Sequence, residues 1–398
     1  MTTISQAAIH TSKETLVDHY DYIVAGAGCA GLSLVWRMLK LGFTENILLV
    51  DRELKQKNDR TWSFWEAGAG DFENIVYKKW DYIDFHGTDF SQRFNISPYQ
   101  YKTIRGIDFY EFVLPTILNA PNVHFLKADI KQFEVKGNQV LLTTSVGSFT
   151  SQYLFNSSIR QPIAVGYNNV IQHFKGWIIR TPNPIFDPAV ATFMDFRIEQ
   201  KDETRFVYVL PKNECEAMVE GTIFSNQLLS DAEYDQINAD YIRDYLKIEE
   251  YEIIEEEGGQ IPMTDFPFSR GRDGRIINIG TTGGLVKPSS GYAFLRIQEH
   301  TQAVVEALQK GNSPLLQSSW YEQRFRFYDS ILLNVILNDR LTAKTVFTEL
   351  FKNNDVDKIF NFLNEKNRNF SEVKLMWTLP KIPFTAALLA ELRKAIRR

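Results

Sequence analysis

The stretch Asp21–Asp51, DYIVAGAGCAGLSLVWRMLKLGFTENILLVD, constrains this chain more than any other. YIVA is an apolar run of strand length, and Gly26, Gly28 and Gly31 follow it as GxGxxG. LSLVWRMLKLG carries apolar residues at helical spacing and ends at Gly42, a residue suited to a helix C-terminus. NILLV reads as the next buried strand, with Asp51 at its end. The whole is a βαβ unit with a glycine turn between first strand and helix. Gly26 permits the tight turn, Gly28 lets the backbone approach a diphosphate, and Gly31 lets helix and strand pack closely. The helix N-terminus favours the diphosphate's negative charge. Asp51 is placed to accept a hydrogen bond from a ribose hydroxyl. A ligand-free tight turn uses the same glycines; strand, helix, strand and acid together argue for a bound dinucleotide.

A second strand–glycine–helix stretch, INIGTTGGLVKPSSGYAF, lies at 277–294, about 250 residues later. Gly280, Gly283, Gly284, Pro288 and Gly291 punctuate it. An early fingerprint with a late glycine turn resembles the large FAD fold shared by aromatic hydroxylases, squalene epoxidases and geranylgeranyl reductases. In that fold the first motif holds the ADP half, and the late turn closes on the ribityl chain and ring. TIRGIDFYEFVLPTIL (103–118) resembles the fold's Arg-containing helix. Arg105 is thus a pyrophosphate or ribose candidate, with a surface salt bridge as the other reading. The expected fold class is α/β: a Rossmann-like FAD-binding domain in two parts (18–165 and 271–315), an antiparallel β-sheet substrate domain (166–270) and a helical C-terminal region (316–398).

The middle of the chain supports the sheet. FMDFRI, RFVYVL and EAMVEGTIF, within 193–224, are three strands separated by the polar turns EQKDET and PKNE. GWIIR (176–180) and YEIIEEEGGQIPMT (251–264) add further strands. Alternation puts Met218, Glu220, Thr222 and Phe224 on one face. Glu220 among such neighbours has two readings. On a buried face its carboxyl is held protonated by desolvation and serves as a general acid. At a strand edge it points into water.

Several segments, in order, carry a more specific resemblance: NDRTWSFWE (58–66), IRGIDFYEFV (104–113), QHFKGWIIR (172–180), FMDFR (193–197), YVLP and VEGT (208–211, 219–222), IPMTDFPF (261–268) and KPSSGY (287–292). Over about residues 20–300 the chain resembles the bacterial FAD-dependent lycopene β-cyclases; the last hundred residues match less distinctively. The resemblance implies a ring closure with no net redox change on a linear polyene, lycopene to γ-carotene to β-carotene. It implies bound reduced FAD, with NADPH as the usual electron donor, and assigns Arg60 with the two glycine motifs to that cofactor. The family's acidic motif falls on VEGT, so Glu220 matches its essential first acid. The next position, often acidic in relatives, is Gly221, which leaves Glu220 without a paired carboxylate in the motif. Thr281 stands where redox relatives carry Asp after the first glycine of the late turn. Asp195 and the run Glu255–Glu257 are weaker acid candidates, the run reading mostly as a solvated face. Trp62, Phe64 and Trp65 suit a polyene tunnel that stabilises a carbocation, or equally a packed core. With Met218 and Asp195 they complete the expected substrate set. An isoprenoid reductase or epoxidase on the same fold, or a non-catalytic carotenoid or flavin carrier, are the competing readings.

Composition narrows the rest. The formal net charge of −5 offers no basic surface for nucleic acid. Two cysteines far apart, Cys29 and Cys215, and six histidines without ligand spacing give neither a disulfide framework nor a metal site. The first twenty residues lack the cationic start and apolar run of a signal peptide, and no run of about 18 apolar residues spans a membrane. A cytoplasmic protein bound peripherally to the cytoplasmic membrane is expected, because a carotene substrate resides there. The tail IPFTAALLAELRKAIRR puts Leu388, Leu389, Leu392 and Ile396 on one helical face, with Arg393, Lys394, Arg397 and Arg398 at its end. It reads either as a cationic amphipathic helix on an anionic membrane or as a docked terminal helix.

Overall fold

The computed structural model describes residues 9–14, 16–159, 162–367 and 370–397. The fingerprint forms the expected unit: strand His19–Ala25, helix Cys29–Lys40 and strand Ile47–Asp51. These strands are parallel neighbours in a sheet of nine among the described residues. Val123–Lys127 extends it on one side, and the antiparallel meander 130–156 on the other. Near-continuous apolar strands such as ILLVD are buried on both faces, as parallel strands require. Helices Cys29–Lys40, Gly106–Leu118 and Phe294–Gln309 cover one face through Leu32, Val35, Phe109, Val113 and Val304.

Chain return brings the late turn to the early one. Ile276–Asn278 runs parallel to Ser148–Asn156, which is itself parallel to His19–Ala25. Asn156 Nδ2 donates to Asn278 Oδ1 at 2.9 Å, and Ile279 N donates to Asn156 O at 2.9 Å. The two glycine motifs are therefore pinned side by side. A Cβ on Gly280 would lie 2.8 Å from Ala30 Cβ in the fingerprint helix.

The second sheet has seven strands in the order Glu252–Thr264, Asn169–Arg180, Glu216–Ser225, Thr204–Pro211, Val190–Asp195, Tyr82–His86, Ser91–Asn95. All five strands expected in the middle of the chain are present. Two more come from within 18–165, so the boundary at 166 does not enclose this sheet. Tyr82–His86 pairs parallel with Val190–Asp195, about a hundred residues away, and no local turn announces that pairing. One face of the sheet packs on the C-terminal helices, with Phe85 stacked on Phe351 and Phe196 on Phe347. On the other, Val207 and Val219 pack against Tyr241 of helix Asp231–Tyr241.

Candidate functional site

A cavity of about 430 Å³ lies between the glycine turns of the first sheet and the inner face of the second. Gly28, Cys29 and Ala30 line one end, together with Gly280, Thr281 and Gly291. Gly26, at φ +111°, and Gly31 are packed shut: their Cβ atoms would stand 2.4 Å from Ser157 Oγ and 1.9 Å from Gly26 O. A Cβ on Gly28 would meet nothing within 4 Å. Only the middle glycine of the three thus faces open space. No side chain caps the helix start at Gly28, so its amides face the cavity as an anion site. Ser290 Oγ and Gln172 Oε1 line the cavity, buried and without partners among the described residues. Uncapped helix, open Gly28, Arg60 and orphaned polar atoms together fit an extended dinucleotide.

Other expected cofactor residues are distributed unevenly. Arg60 lines the cavity, where Nη2 donates to Asp59 Oδ2 at 3.0 Å. Asp59 also accepts from Tyr110 OH at 2.7 Å. Asp51 accepts from Ala27 N at 2.7 Å and Glu53 N at 3.2 Å, and so holds the glycine turn itself. Arg105 is not among the cavity-lining residues: its guanidinium forks onto Asp108 at 2.7 Å and lies 4.2 Å from the Tyr77 ring centroid. The salt-bridge reading of Arg105 is the one its surroundings support. Gly283 and Gly284 shape the turn, and Pro288 follows it outside the cavity.

The sheet floor holds the acids. Glu220 and Met218 line the cavity with Tyr208 and Leu210 of the neighbouring strand. Glu220 is 8% exposed, and its carboxyl is pushed up to about 8. Burial is the main cause and the nearby Glu257 charge the second; Thr222 Oγ1, donating to Glu220 Oε1 at 3.1 Å, opposes both. The solvent-pointing reading of Glu220 is thus set aside. Tyr101, Tyr208 and Tyr292 surround the same space, with hydroxyl oxygens 3.1 and 3.4 Å apart. Burial raises all three phenols, which stay neutral.

Three sequence expectations are redirected. Asp195 is fully buried outside the cavity, held by the Arg197 guanidinium and by Tyr241 OH at 2.7 Å. Of the aromatic trio, only Trp62 lines the cavity. Phe64 stacks on Phe294 at 4.8 Å in the core of the first sheet's helical layer, and Trp65 on Phe360 at 4.8 Å against the C-terminal helices. Within the run Glu255–Glu257, Glu256 pairs with Lys175 on the outer face, whereas Glu257 lines the cavity. Period-two alternation in EEEGG was the available signal for Glu257. Tyr208, by the same alternation in RFVYVL, shares a face with Phe206 and Leu210.

The lycopene cyclase protein family profile matches residues 21–389. The chain belongs to the lycopene cyclase family. Among curated relatives, the lycopene beta-cyclase of Pseudescherichia vulneris is 23% identical over 312 residues, covering 75% of this chain and 76% of that protein. A chloroplastic neoxanthin synthase of Solanum tuberosum is 25% identical over 327 residues, covering 73% of this chain and only 61% of the plant protein. A flavoprotein/dehydrogenase of Cytophaga hutchinsonii has the same fold, with TM-score 0.59, 15% identity, and coverage of 94% and 100% of the two chains. Family membership and fold meet at one place, the cavity where Glu220 faces the glycine turns.

Proposed function

We propose that this protein is a flavin-dependent lycopene β-cyclase, an isomerase that closes the ψ ends of lycopene into β rings by way of γ-carotene. The observation that carries this reading is Glu220: a cavity-lining carboxyl, buried and held protonated, in a family that cyclises polyenes. Glu220 delivers its proton to the terminal double bond and leaves a tertiary cation. The neighbouring double bond attacks that cation and closes the ring, and loss of a ring proton completes a reaction with no net electron transfer. The neutral phenols of Tyr101, Tyr208 and Tyr292 and the indole of Trp62 give the cation aromatic faces and exclude water. Gly28, Arg60, Gly280 and Gly291 would hold FAD, with Gln172 and Ser290 offering polar partners. Bound and reduced, with NADPH as donor, FAD would supply electron density that stabilises positive charge.

The substrate's insolubility requires a membrane surface. Among the described residues no helix is long and apolar enough to cross a membrane. A peripheral approach through the C-terminal helix Lys381–Arg397 fits the exposure of Ile382, Leu389, Leu392 and Ile396. Expression in lycopene-accumulating bacteria, with chromatography of the pigments, tests the proposal. Appearance of β-carotene is the expected result. Persistent lycopene with flavin-loaded protein overturns it, and net NADPH consumption per product marks a reductase or epoxidase instead.

A further inference from the structure

The sheet places a second carboxylate beside Glu220. Glu220 lies opposite Gly176 on the adjacent strand, and Gly176 lies opposite Glu257 on the strand beyond. Tyr208 lies opposite Glu220 on the other side. One row across four strands therefore reads Tyr208, Glu220, Gly176, Glu257. Directly opposed residues project from the same face, so both carboxyls rise on the cavity side, where both are lining residues. The strands bearing them are two spacings apart, roughly 9–10 Å. Any side chain at the intervening position would fill that gap. Glycine leaves it open, and the Glu220 side chain occupies it: a Cβ on Gly176 would lie 3.3 Å from Glu220 Cβ and 3.4 Å from Oε2. Glu220 thus leans over Gly176 toward Glu257. Burial raises the Glu257 carboxyl; on the far side Thr61 Oγ1, donating to Glu257 Oε2 at 2.6 Å, opposes that and favours the charged form, and the Glu255 charge adds to the rise.

We infer that Glu220 and Glu257 work as one acid–base pair across Gly176, sharing a single proton, with Glu257 the residue that lets Glu220 recover its proton after ring closure. The inference rests on the cyclase reading. In the first step the Glu220 O–H bond breaks and its proton forms a C–H bond at the inner carbon of the terminal alkene, which leaves the cation on the dimethyl carbon. The π electrons of the next double bond form the ring C–C bond. Two carboxylates then face each other in a desolvated space, which makes the pair a stronger base than either alone. In the last step a ring C–H bond breaks, its electrons become the ring double bond, and its proton returns to the pair. Protons balance over the cycle and no electrons are exchanged with solvent or cofactor. An acid at 221 would point to the other face, where a Cβ already meets Ile237 at 2.9 Å; the second carboxylate on the Glu220 face comes instead from a strand 37 positions further along (220 to 257).

Other groups facing the pair are few. Tyr101, Tyr208 and Tyr292 are neutral, Glu255 sits behind Glu257 and is engaged by Asn58, and Asp59 and Arg60 neutralise each other at the cavity wall. The Cys29 thiol, pushed up to about 12 by burial, stays neutral.

The test is an infrared titration of the full-length, flavin-loaded protein, following the carboxylic acid band that Glu220→Gln abolishes. Turnover of lycopene in liposomes is recorded on the same samples. Glu257→Gln removes the charge and Thr61→Val removes the donor that maintains it; both should lower the Glu220 midpoint by about one pH unit or more. The alkaline limb of the turnover profile should move by the same amount. Glu256→Gln, on the opposite face, should move neither. Gly176→Ala should displace Glu220 and cut turnover at least tenfold while flavin stays bound. An unchanged midpoint in both Glu257→Gln and Thr61→Val overturns the pair even if wild-type protein is a cyclase. Wild-type protein that makes no cyclic product overturns the cyclase reading, while the titration still decides whether the carboxyls are coupled.

Discussion

Glu220 carries the sharpest consequences at the scale of single residues. Glu220→Gln keeps the shape and the Thr222 contact but has no proton to give, so turnover should fall by about 10²–10⁴ with flavin content unchanged. Wild-type turnover should decline as pH rises through about 8, where the acid is lost. Stability should follow the same group. A carboxyl whose folded-state pKa is raised stabilises the fold most fully when protonated; that contribution is lost as pH climbs from the ordinary glutamate range through about 8. At about 1.4 kcal/mol per pH unit the difference reaches a few kcal/mol. The melting temperature of Glu220→Gln, relative to wild type, should therefore rise between pH 5 and pH 9; a constant offset contradicts the desolvation argument. Glu220 was legible in the sequence because alternation put it on a face with Met218 and Phe224 and the resemblance of VEGT chose between the two readings that alternation left open. For Glu257 alternation offered only a face of its own strand; its place beside Glu220 was not legible, because alternation says nothing of what stands two strands away. The empty position at Gly176 acquires meaning only once register is known.

At the scale of elements, the two glycine motifs were legible because each carries a complete local pattern: strand, turn glycines, helix. Their juxtaposition depends on Ile276–Asn278 pairing with Ser148–Asn156, a contact made by short strands without a sequence signature. The strands at 82–95 escaped for the same reason. Arg105 followed its motif in sequence, but an acid three residues on captured it. Asn278 makes the junction testable. It accepts from Asn156, a bond buried at both ends, and its Nδ2 donates to Ser269 O at 2.8 Å at an exposed residue. Asn278→Ala removes the buried bond and should cost about 1–3 kcal/mol in denaturant unfolding. Gly291 is the second test. It sits at φ +74°, and a Cβ there would lie 2.3 Å from Gln172 Oε1. Gly291→Ala should reduce flavin occupancy several-fold in purified protein, with the strands of the second sheet intact by circular dichroism. Full occupancy would remove Gly291 from the cofactor wall.

Under the proposed function the whole molecule must bring a water-insoluble polyene from a bilayer to a cavity between two sheets, and the C-terminal helix is the element that would meet the membrane. Periodicity in the tail predicted the helix and its apolar stripe, yet not which side faces the protein. The docking side is mixed: Ala387 and Phe384 pack with Val335 and Val346, and Glu391, 3% exposed, accepts from Asn334 Nδ2 at 2.6 Å, Asn168 Nδ2 at 3.0 Å and Lys394 Nζ at 2.7 Å. Lys394 is therefore engaged in docking, and Arg398 lies outside the described residues. Leu388 packs partly inward, whereas Leu389, Leu392 and Ile396 remain 49%, 42% and 86% exposed. The helix is docked and amphipathic at once, so the two readings of the tail are not rivals. Trp377, 68% exposed just before the helix, adds an interfacial aromatic. An outward apolar stripe on a helix anchored through an ionic network suits an apolar cover, and under the proposed function a membrane surface would supply it. Replacing Leu389, Leu392 and Ile396 together with Ser leaves Glu391, Asn168 and Asn334 untouched. The triple variant should keep its melting temperature within about 1–2 °C and its turnover of detergent-dispersed lycopene, yet lose most of its flotation with anionic liposomes. Equal flotation of variant and wild type would place the membrane contact elsewhere on the molecule.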